Sequence, residues 1–395
     1  MATNALLTPS IITKETLVIL SNNLVAAGKV NRQFENQFVK IGTTLTIRKP
    51  NRFKVTMGPA LQIQDVTEPS TSITVSQQAH VDFQFSSQEL TLSVEEYSER
   101  YCKPAAEKLA NKLDYDVLTN FNQLFNLVGT VGVLPANFAS LAAVGQRMDE
   151  GAVPMDGRTL ILNPAAYWSI AAGLVNLYVK SVAEPALKGF LANIANFEIY
   201  LDQNVQPQTT GNYSGTGKIN GAGQTGSVIV TNGWTAGVAG LLNVGDVFTI
   251  PGVYAVNPQN LNSTGSLQNF VVTSSASSDG GGNSTISIYP AITTSGAYQT
   301  VTASPANGAA LTIISGAANS TNFQNIAFTR DCFGLVTVPM ELPGGVDFAA
   351  REMYKNVSMR IIRAFDIFND VTPCRIDMLY GTATYYPELG VRLTN

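Results

Sequence analysis

Asn356-Val-Ser-Met-Arg-Ile-Ile-Arg-Ala-Phe365 and Cys374-Arg-Ile-Asp-Met-Leu-Tyr380 are two strong strand-forming runs near the end of the chain, and Asn369-Asp-Val-Thr-Pro373 joins them as a turn. Runs rich in β-branched and large apolar residues, bounded by Asn, Asp and Pro, are typical of strands. Residues 326–395 have an ordinary composition, whereas the segment before them does not. We therefore expect these strands to resume a domain that this segment interrupts, because insertion is easy where the ends of the insert lie close together.

The interrupting segment, residues 205–325, contains only Lys218, Asp246 and Asp279 as charged residues and is rich in Gly, Ser, Thr and Asn. Even spacing of short β-forming runs between turn residues predicts a small barrel or a sandwich. A flexible linker is the alternative for a Gly/Ser-rich segment, but persistent alternation and aromatic residues favour a folded one. The β-forming runs are Ser227–Thr231, Val247–Ile250, Asn269–Thr273, Thr285–Tyr289 and Leu311–Ile314.

Residues 93–128 have the strongest helical pattern in the sequence. Ser93-Val-Glu-Glu96 is a capping box, in which a hydroxyl residue is followed three residues later by a carboxylate. Apolar residues recur at four-residue spacing from Tyr97 to Phe125, which predicts an apolar stripe along one side. Pro104 is expected to kink this helix and Gly129 to end it. A helix of that length spans about 50 Å at ~1.5 Å per residue.

Two segments of the chain are too small to form a hydrophobic core of their own. Residues 1–30 are a short, mildly apolar arm, which is too short to bury itself and which we expect to lie on something else. Residues 38–92 have β character, since Thr43–Arg48 and His80–Phe85 alternate, with the loop-like stretch Met57–Ser70 between them. Because an isolated two-stranded hairpin is marginal in water, we expect this excursion to lie across a neighbouring molecule.

Residues 130–204 alternate strand and helix signals. Thr159–Leu162 is a buried-strand run, and Asn196–Leu201 predicts another strand. Between them, Asn163 and Pro164 supply a helix N-cap and a proline at the first helical position. We therefore expect a helix from Ala165 to Leu174.

Charge is scarce, because Lys, Arg, Asp and Glu make up 13% of the 395 residues, about half of the roughly 25% usual in soluble domains. A monomer so poor in charge is badly protected in water. Two interpretations fit: an extracellular β protein with a Ser/Thr/Asn-rich surface, or a subunit largely covered by copies of itself. The net charge of −4 and the lack of a run of five basic residues argue against a protein that grips nucleic acid.

No residue pattern points to catalysis, a cofactor or a metal, and we expect the protein not to be an enzyme. Cys102, Cys332 and Cys374 are odd in number and far apart, which predicts buried thiols rather than a disulfide framework or a zinc site. His80 is the only histidine, and its alternating β context favours a structural role. The acidic pair Asp114/Asp116 is interpreted as a solvent-exposed face of the predicted helix.

The sequence also predicts a location. The stretch from Met1 to Pro9 has neither the basic segment nor the uninterrupted apolar run of a signal peptide. No apolar run approaches the roughly 20 residues that span a bilayer. We therefore expect a protein that is made and kept in a cytoplasm, without a membrane partner.

Three stretches carry a resemblance to a known family. They are Glu107-Lys-Leu-Ala-Asn111, Val244-Gly-Asp-Val-Phe-Thr-Ile-Pro-Gly-Val-Tyr-Ala255 and Cys374-Arg-Ile-Asp-Met-Leu-Tyr-Gly-Thr-Ala-Thr-Tyr-Tyr-Pro-Glu-Leu-Gly-Val391. In order and spacing they resemble the coat protein of the P-twenty-two type of short-tailed phage, which has the HK-ninety-seven capsid fold. The similarity extends along nearly the whole chain.

This resemblance implies an α+β fold of the HK-ninety-seven capsid type with an inserted all-β barrel, the I-domain. Placed on this sequence, it implies an N-arm at 1–37, an E-loop with adjoining P-domain strands at 38–92, a P-domain spine helix at 93–130, the first part of an A-domain at 131–204, the I-domain at 205–325, the A-domain return at 326–355 and C-terminal P-domain and A-domain strands at 356–395.

The implied function is that of a major capsid protein, which self-assembles into the icosahedral head shell of a tailed double-stranded DNA phage. The implied partners are copies of the chain in hexamers and pentamers, a separate scaffolding protein and a portal protein. The shell encloses DNA without binding it by sequence. The resemblance further implies assembly in the host cytoplasm and a final place in the virion.

Two candidate contact sites come with the resemblance. The arm of this family faces the interior and the scaffolding protein, whose docking segment is basic, so Glu15, the only acid among residues 1–30, is the candidate scaffolding contact. An exposed helix residue without a partner is the alternative. The family's I-domain contacts neighbours through a charged loop, and this chain departs from it by its lack of charge there. Asp279-Gly-Gly-Gly-Asn283 is the candidate intersubunit loop, and a plain flexible turn is the alternative.

Two other classes of protein stay open on the residues alone. An exported β-rich adhesin or surface-layer protein fits the polar, uncharged composition but needs an export signal. A hydrolase with a carbohydrate-binding insert needs a cleft with paired carboxylates, and the sequence nominates no such pair.

Overall fold

The computed structural model describes residues 13–14, 16–18, 20, 24–34, 44–61, 63–64, 66, 68–86, 101–174, 194–354 and 357–395. These residues belong to two compact units. The first unit takes its residues from Met1–Ile47, Ser70–Val117 and Phe333–Ala383, and the second from Arg48–Pro69, Leu118–Cys332 and Thr384–Asn395. Each unit is therefore assembled from segments that are distant in sequence.

The described helices are α1 (Lys103–Leu118), α2 (Phe138–Glu150) and α3 (Pro164–Leu174), with 3₁₀ turns at Thr119–Gln123, Arg330–Cys332 and Pro387–Leu389. The described strands are β1 (Thr44–Arg48), β2 (Ser70–Thr74), β3 (Gln77–Ser86), β4 (Leu127–Val128), β5 (Arg158–Leu162), β6 (Phe197–Leu201), β7 (Pro207–Thr209), β8 (Gly215–Ile219), β9 (Gly226–Trp234), β10 (Val247–Val256), β11 (Ser263–Val272), β12 (Ser284–Ile292), β13 (Thr312–Ile313), β14 (Thr321–Thr329), β15 (Phe333–Val338), β16 (Phe348–Tyr354), β17 (Val357–Arg363), β18 (Val371–Thr384) and β19 (Gly390–Thr394).

The first unit is built on a sheet ordered β15-β18-β17-β16, with β3 also paired to β18. Strands β17 and β18 coincide with the two runs that the sequence predicts as strands. The predicted turn at 369–373 is right for Asn369 and Asp370 but wrong for the next three residues, which belong to β18, with Pro373 opposite Gln84 of β3. The chain turns earlier, where the Asp366 carboxylate accepts the N–H of Phe368 (2.9 Å) and the side-chain amide of Asn369 (2.7 Å).

Helix α1 ends earlier than predicted. It stops at Leu118, and after a 3₁₀ turn the chain is extended at Leu124, with φ −80° and ψ 124°. The next residues enter β4, which pairs in parallel with β19, so strand pairing overrides the helical spacing of the apolar residues. Pro104 is the second residue of α1, and Tyr101 and Cys102 before it form a π-helical turn. A kink at Pro104 stays a prediction, because the residues before Tyr101 lie outside the described ones. The predicted start at Ser93 lies outside the described residues.

Asp114 contradicts the prediction of a solvent-exposed acidic face. This residue is 1% exposed, and its carboxylate accepts the backbone N–H groups of Val25 (2.8 Å) and Ala27 (2.6 Å). Charge-assisted bonds of this kind are stronger than neutral ones, so Asp114 fixes part of the N-terminal segment on α1. Asp116 accepts a hydrogen bond from the hydroxyl of Tyr380.

In the second unit, a sheet ordered β4-β19-β14-β5-β6 packs against α2 and α3. Every residue of β5 is buried, and β6 runs parallel to it, as is usual where helices cover a sheet. The side chain of Asn163 accepts the N–H of Ala166 at 3.0 Å, so the predicted N-cap of α3 is present. The core between sheet and helices includes Leu141, Val144, Met148, Leu160, Leu162, Tyr167, Ile170 and Phe197.

Strand β14 follows the all-β segment and pairs with strands that precede it. It pairs with β5 on one side and β19 on the other, and its first residues pair with β7, with Thr321 opposite Thr209. The N–H of Thr210 donates to the carbonyl of Ser320 at 2.9 Å. The ends of the segment 210–320 are therefore neighbours, which is the geometry that an insertion needs.

Within 210–320 the strands form one sheet in the order β13-β10-β11-β12-β9-β8, and this sheet closes on itself. The N–H of Ile219 donates to the carbonyl of Ala309 (2.9 Å), and the N–H of Leu311 donates to the carbonyl of Gly217 (2.8 Å). The residues that follow are β13, which pairs with β10. The segment is therefore a barrel, one of the two forms that its spacing predicts.

The barrel encloses its own core. The rings of Phe248 and Phe270 stack at 5.8 Å, and Trp234 donates through Nε1 to Oγ1 of Thr231 at 2.9 Å. A Cβ atom at Gly217 would lie 1.9 Å from the Trp234 ring. Only glycine therefore admits this ring at that position.

A buried polar junction joins the barrel to the neighbouring sheet. Asp246, directly before β10, and Arg392 in β19 are each 0% exposed. The Asp246 carboxylate accepts the N–H groups of Gly211 (2.9 Å) and Asn243 (2.8 Å), and Arg392 donates through Nη2 to the carbonyl of Gly245 (2.8 Å). Burial raises the pKa of Asp246 and lowers the pKa of Arg392 to about 9.

Replacing Asp246 by Ala is expected to lower the free energy of unfolding by about 3–5 kcal/mol, because it leaves two buried N–H groups unpaired and the Arg392 charge uncompensated. The double variant Asp246→Asn/Arg392→Met removes both charges at similar volume, and its unfolding free energy should lie within about 2 kcal/mol of the parent value. Denaturant unfolding of the full chain measures both. Equal losses in the two variants would contradict an electrostatic junction.

Candidate assembly surfaces

The segment Lys49–Pro69, here called the 49–69 loop, is an excursion held together by few bonds. At its neck the N–H of Lys49 donates to the carbonyl of Pro69 at 2.8 Å. Farther out, the N–H of Lys54 donates to Oε1 of Gln64 (2.8 Å), and Nε2 of Gln64 donates to the carbonyl of Lys54 (2.5 Å). The described residues between these points form no strand, so side chains replace a backbone ladder.

Apolar side chains on the 49–69 loop lie in solvent. Met57 is 91% exposed, Leu61 88% and Ile63 86%, and Phe53, Val55 and Val66 are also exposed. Single exposed apolar residues are normal on proteins, but a cluster on one projecting segment marks a contact surface. We therefore identify this loop as the first candidate assembly surface.

The base of the loop contacts other parts of the second unit. Nη2 of Arg52 lies 3.3 Å from Oε1 of Glu388, and the hydroxyl of Tyr289 donates to Oε2 of the same carboxylate at 3.3 Å. Burial, followed by the charge of Glu388, raises the pKa of Tyr289 well above its usual value. Nζ of Lys49 lies 4.8 Å from the centre of the Tyr386 ring, and burial lowers the pKa of Lys49.

The turn between β17 and β18 is a second apolar projection, in the first unit. Phe368 is 94% exposed, and Phe365 and Ile367 are exposed as well. Hydrogen bonds from the side chain of Asn369 and from the N–H of Phe368 hold the pKa of Asp366 below its usual value. The turn is therefore fixed in shape while its apolar side chains lie in solvent.

The candidate intersubunit loop from Asp279 to Asn283 is closed by its own side chains. The Asp279 carboxylate accepts the backbone N–H groups of Gly281 and Asn283, both at 2.8 Å, and the side-chain amide of Asn283 at 3.0 Å. These bonds, with the side chain of Asn283 first, lower the pKa of Asp279. The loop is exposed at Asp279 and Gly281 and is closed by these hydrogen bonds, while its role as an intersubunit contact stays a prediction.

Other residues singled out in the sequence have structural contacts or lie outside the described chain. His80 lies in β3 and its Nδ1 is 2.7 Å from Oδ2 of Asp82. Cys102, Cys332 and Cys374 are buried and form no disulfide bond. Glu15 and the capping box at Ser93–Glu96 lie outside the described residues, so their contacts stay predictions.

The described part of the chain offers neither a metal-binding cluster nor a helix that could span a membrane. Within it, no group of three or more His, Cys, Asp or Glu residues is placed to hold a metal ion. Among the same residues, no helix is long and apolar enough to cross a membrane.

The family model described as P22 coat protein, gene protein 5, matches residues 1–395 of the chain. The chain belongs to the P22 coat protein family. The resemblance drawn from the three sequence stretches is confirmed, and the protein is a major capsid protein of a phage, a structural subunit of the virion. The family thereby decides against the adhesin and hydrolase interpretations. None of the curated protein sequences compared with this coat protein matches it.

Solved structures similar to this coat protein also come from phages. A structure from Mycobacterium phage Che8 has a TM-score of 0.51 at 11% sequence identity, covering 94% of this chain and 90% of that one. The capsid of Myoviridae phage XM1 has a TM-score of 0.44 at 12% identity, with 96% and 92% of the chains covered. The capsid of Ralstonia phage GP4 has a TM-score of 0.45 at 7% identity, with 92% and 86% covered. The first of these shows that the coat protein shares a fold across great sequence distance.

Substituting Ala at Gly282 is expected to lower the unfolding free energy of the coat protein by about 1–3 kcal/mol. Gly282 has a φ of +75°, and a Cβ atom there would lie 2.3 Å from the carbonyl oxygen of Trp234. Gly280 is the matched control, since a Cβ atom there meets nothing within 4 Å, and Gly280→Ala should change stability by less than about 0.5 kcal/mol. Thermal or denaturant unfolding compares the two, and equal effects would argue against a preorganised loop.

Proposed function

We propose that this coat protein builds an icosahedral head shell of hexamers and pentamers around a separate scaffolding protein, with a portal protein as a further partner and DNA enclosed. In this role it works by tiling and performs no catalysis. The single observation that carries the proposal is the 49–69 loop, whose apolar side chains Met57, Leu61 and Ile63 lie in solvent. A neighbouring copy is the surface that a coat protein has available to cover them.

The low charge of the chain supports the same proposal. With 13% charged residues, a free subunit is poorly kept apart from its neighbours. Permanent assemblies bury roughly 2,000–5,000 Å² per interface, and a closed shell adds many such contacts, so that each can be weak on its own. In the shell, neighbouring copies therefore cover the charge-poor surface that would be badly protected on a free subunit.

In the terms of this capsid fold, we assign five parts to the chain. The N-arm is the N-terminal segment, the E-loop is the 49–69 loop, and the P-domain is α1 with β3, β17 and β18, while β15 and β16 belong to the A-domain return at 326–355. The A-domain is the sheet of the second unit with α2 and α3, and the I-domain is the barrel at 210–320. The barrel is proposed to support the folding and stiffness of its own subunit.

The charge balance fits a shell that encloses DNA without gripping it. The net charge is −4, and no run of five basic residues occurs in the sequence. Affinity for a phosphate backbone comes from clusters of Lys and Arg that release counter-ions. We propose that assembly takes place in the host cytoplasm and that DNA is held inside by the closed wall.

Scaffolding contact is assigned to Glu15. It is the only acid among residues 1–30, and the proposal pairs it with a basic segment of the scaffolding protein. Replacing Glu15 by Lys should lower the yield of scaffolded shells several-fold, since an attraction becomes a repulsion of similar size. The neighbouring substitution Lys14→Ala serves as control, and unchanged yield with Glu15→Lys would remove this contact.

Replacing Met57, Leu61 and Ile63 together by Asp tests the main proposal. Since all three are exposed, the variant should keep the parental unfolding temperature, yet it should form no closed shells, because charge cannot be buried in an apolar interface without a partner. Thr56→Asp is the matched control, as it adds an acid to the same loop at an exposed polar position. Negative-stain microscopy after assembly with scaffolding protein gives the result. Normal shells from the triple variant would refute tiling through this loop.

A further inference from the structure

The direction of the 49–69 loop is set at its base. Beyond Arg52 the described residues up to Leu61 are exposed, and the link between Lys54 and Gln64 joins the loop only to itself. A segment with many solvated backbone groups and few packed side chains is mobile unless its ends are held. Whatever fixes the residues near Arg52 therefore decides where the apolar side chains point.

Glu388 connects this base to the barrel. Its two carboxylate oxygens have different partners, with Arg52 at Oε1 and Tyr289 of β12 at Oε2, each at 3.3 Å. The ring of Tyr289 is itself held against Phe125 at 5.7 Å. One carboxylate thus ties the loop to a rigid part of the barrel.

The backbone of the loop is held at the same place. The N–H of Arg52 donates to the hydroxyl of Tyr298 at 3.2 Å, and Tyr298 lies between β12 and β13 of the barrel. Three links restrain both the position and the rotation of the chain. They are the contact of the Arg52 side chain with Glu388, the hydrogen bond from the Arg52 N–H to Tyr298, and the contact of Lys49 with the Tyr386 ring. A single link would restrain only the position.

We propose that Arg52, Glu388 and Tyr298 form a bracket through which the inserted barrel sets the direction of the 49–69 loop and thereby the angle between neighbouring subunits in the shell. This inference rests on the proposed function, because it takes the loop to cover a sister copy. An exposed ion pair adds little to folding stability, so the bracket acts on orientation. The same small rotation, repeated in every subunit, changes the curvature at which a symmetric assembly closes.

Loop direction can be measured on the free full-length chain. Spin labels on Ala60→Cys in the loop and Ala236→Cys on the barrel report one distance, since both positions are exposed, whereas the native cysteines are buried. The parent should give a narrow distance distribution, and Arg52→Ala should broaden it about twofold, towards the spread of a flexible chain. Lys54→Ala is the matched control, because it removes a charge two residues away that has no part in the bracket, and its distribution should stay narrow.

Shell size is the second readout. With scaffolding protein, the parent and Lys54→Ala should give shells of one diameter, whereas Arg52→Ala should give mixed diameters or open shells at an unchanged unfolding temperature. The exchange Arg52→Glu/Glu388→Arg should recover the parental diameter. Parental distance distribution and diameter in Arg52→Ala would overturn the bracket. If the loop does not cover a neighbour, the triple acidic variant will form normal shells. The label distances are measured on the free chain, so they test the bracket independently of that result.

Discussion

The pairing of β14 with β5, β7 and β19 is the interaction on which the rest of the second unit depends. These four strands come from before the barrel, from after it and from the end of the chain. Hydrogen bonds between segments so distant in sequence have to be made against the entropy of closing long loops. A barrel whose ends lie side by side lowers the entropic cost of closing these loops, because the folded barrel holds β7 and β14 together. The sheet and the barrel are in this way mutually supportive.

The molecule divides its apolar residues between two uses. One part lies in closed cores, such as the barrel around Phe248 and Phe270 and the layer between α2, α3 and their sheet. Another part lies on the 49–69 loop and on the turn that carries Phe368, where it adds nothing to the stability of a single chain. Polar side chains such as Asp366 and Gln64 hold these projections in shape. Under the proposed function, these apolar side chains are subunit contacts on preformed supports, and such supports reduce the entropy lost when subunits join.

Local patterns predict local structure well in this chain. The β-forming runs of the charge-poor segment 205–325 coincide with β9 to β13, and Asn163 caps α3 as the Asn-Pro pair predicts. The errors arise where distant partners intervene. Pairing with β19 ends the helix early, amide groups of the N-terminal segment bury Asp114, and pairing of β18 with β3 moves a turn.

The candidate site divides in the same way. Asp279 and Asn283 lie four residues apart, so composition can nominate their loop. Arg52 and Glu388 are separated by 336 positions, and neither belongs to a motif. Their contact exists only through the fold that brings the loop and the last 3₁₀ turn together, and no reading of local spacing can find it.

Closure of the barrel has a consequence for a protein that must exist at high local concentration. An open sheet ends in a row of unpaired N–H and C=O groups, which template the addition of foreign strands and lead to amyloid-like stacking. In the barrel, the residues just before β13 occupy the outer side of β8, so that the inserted segment, the least charged in the chain, offers no such row. The low charge of the inserted segment is therefore compatible with crowding. Closure of its backbone, rather than electrostatic repulsion, protects this segment from aggregation.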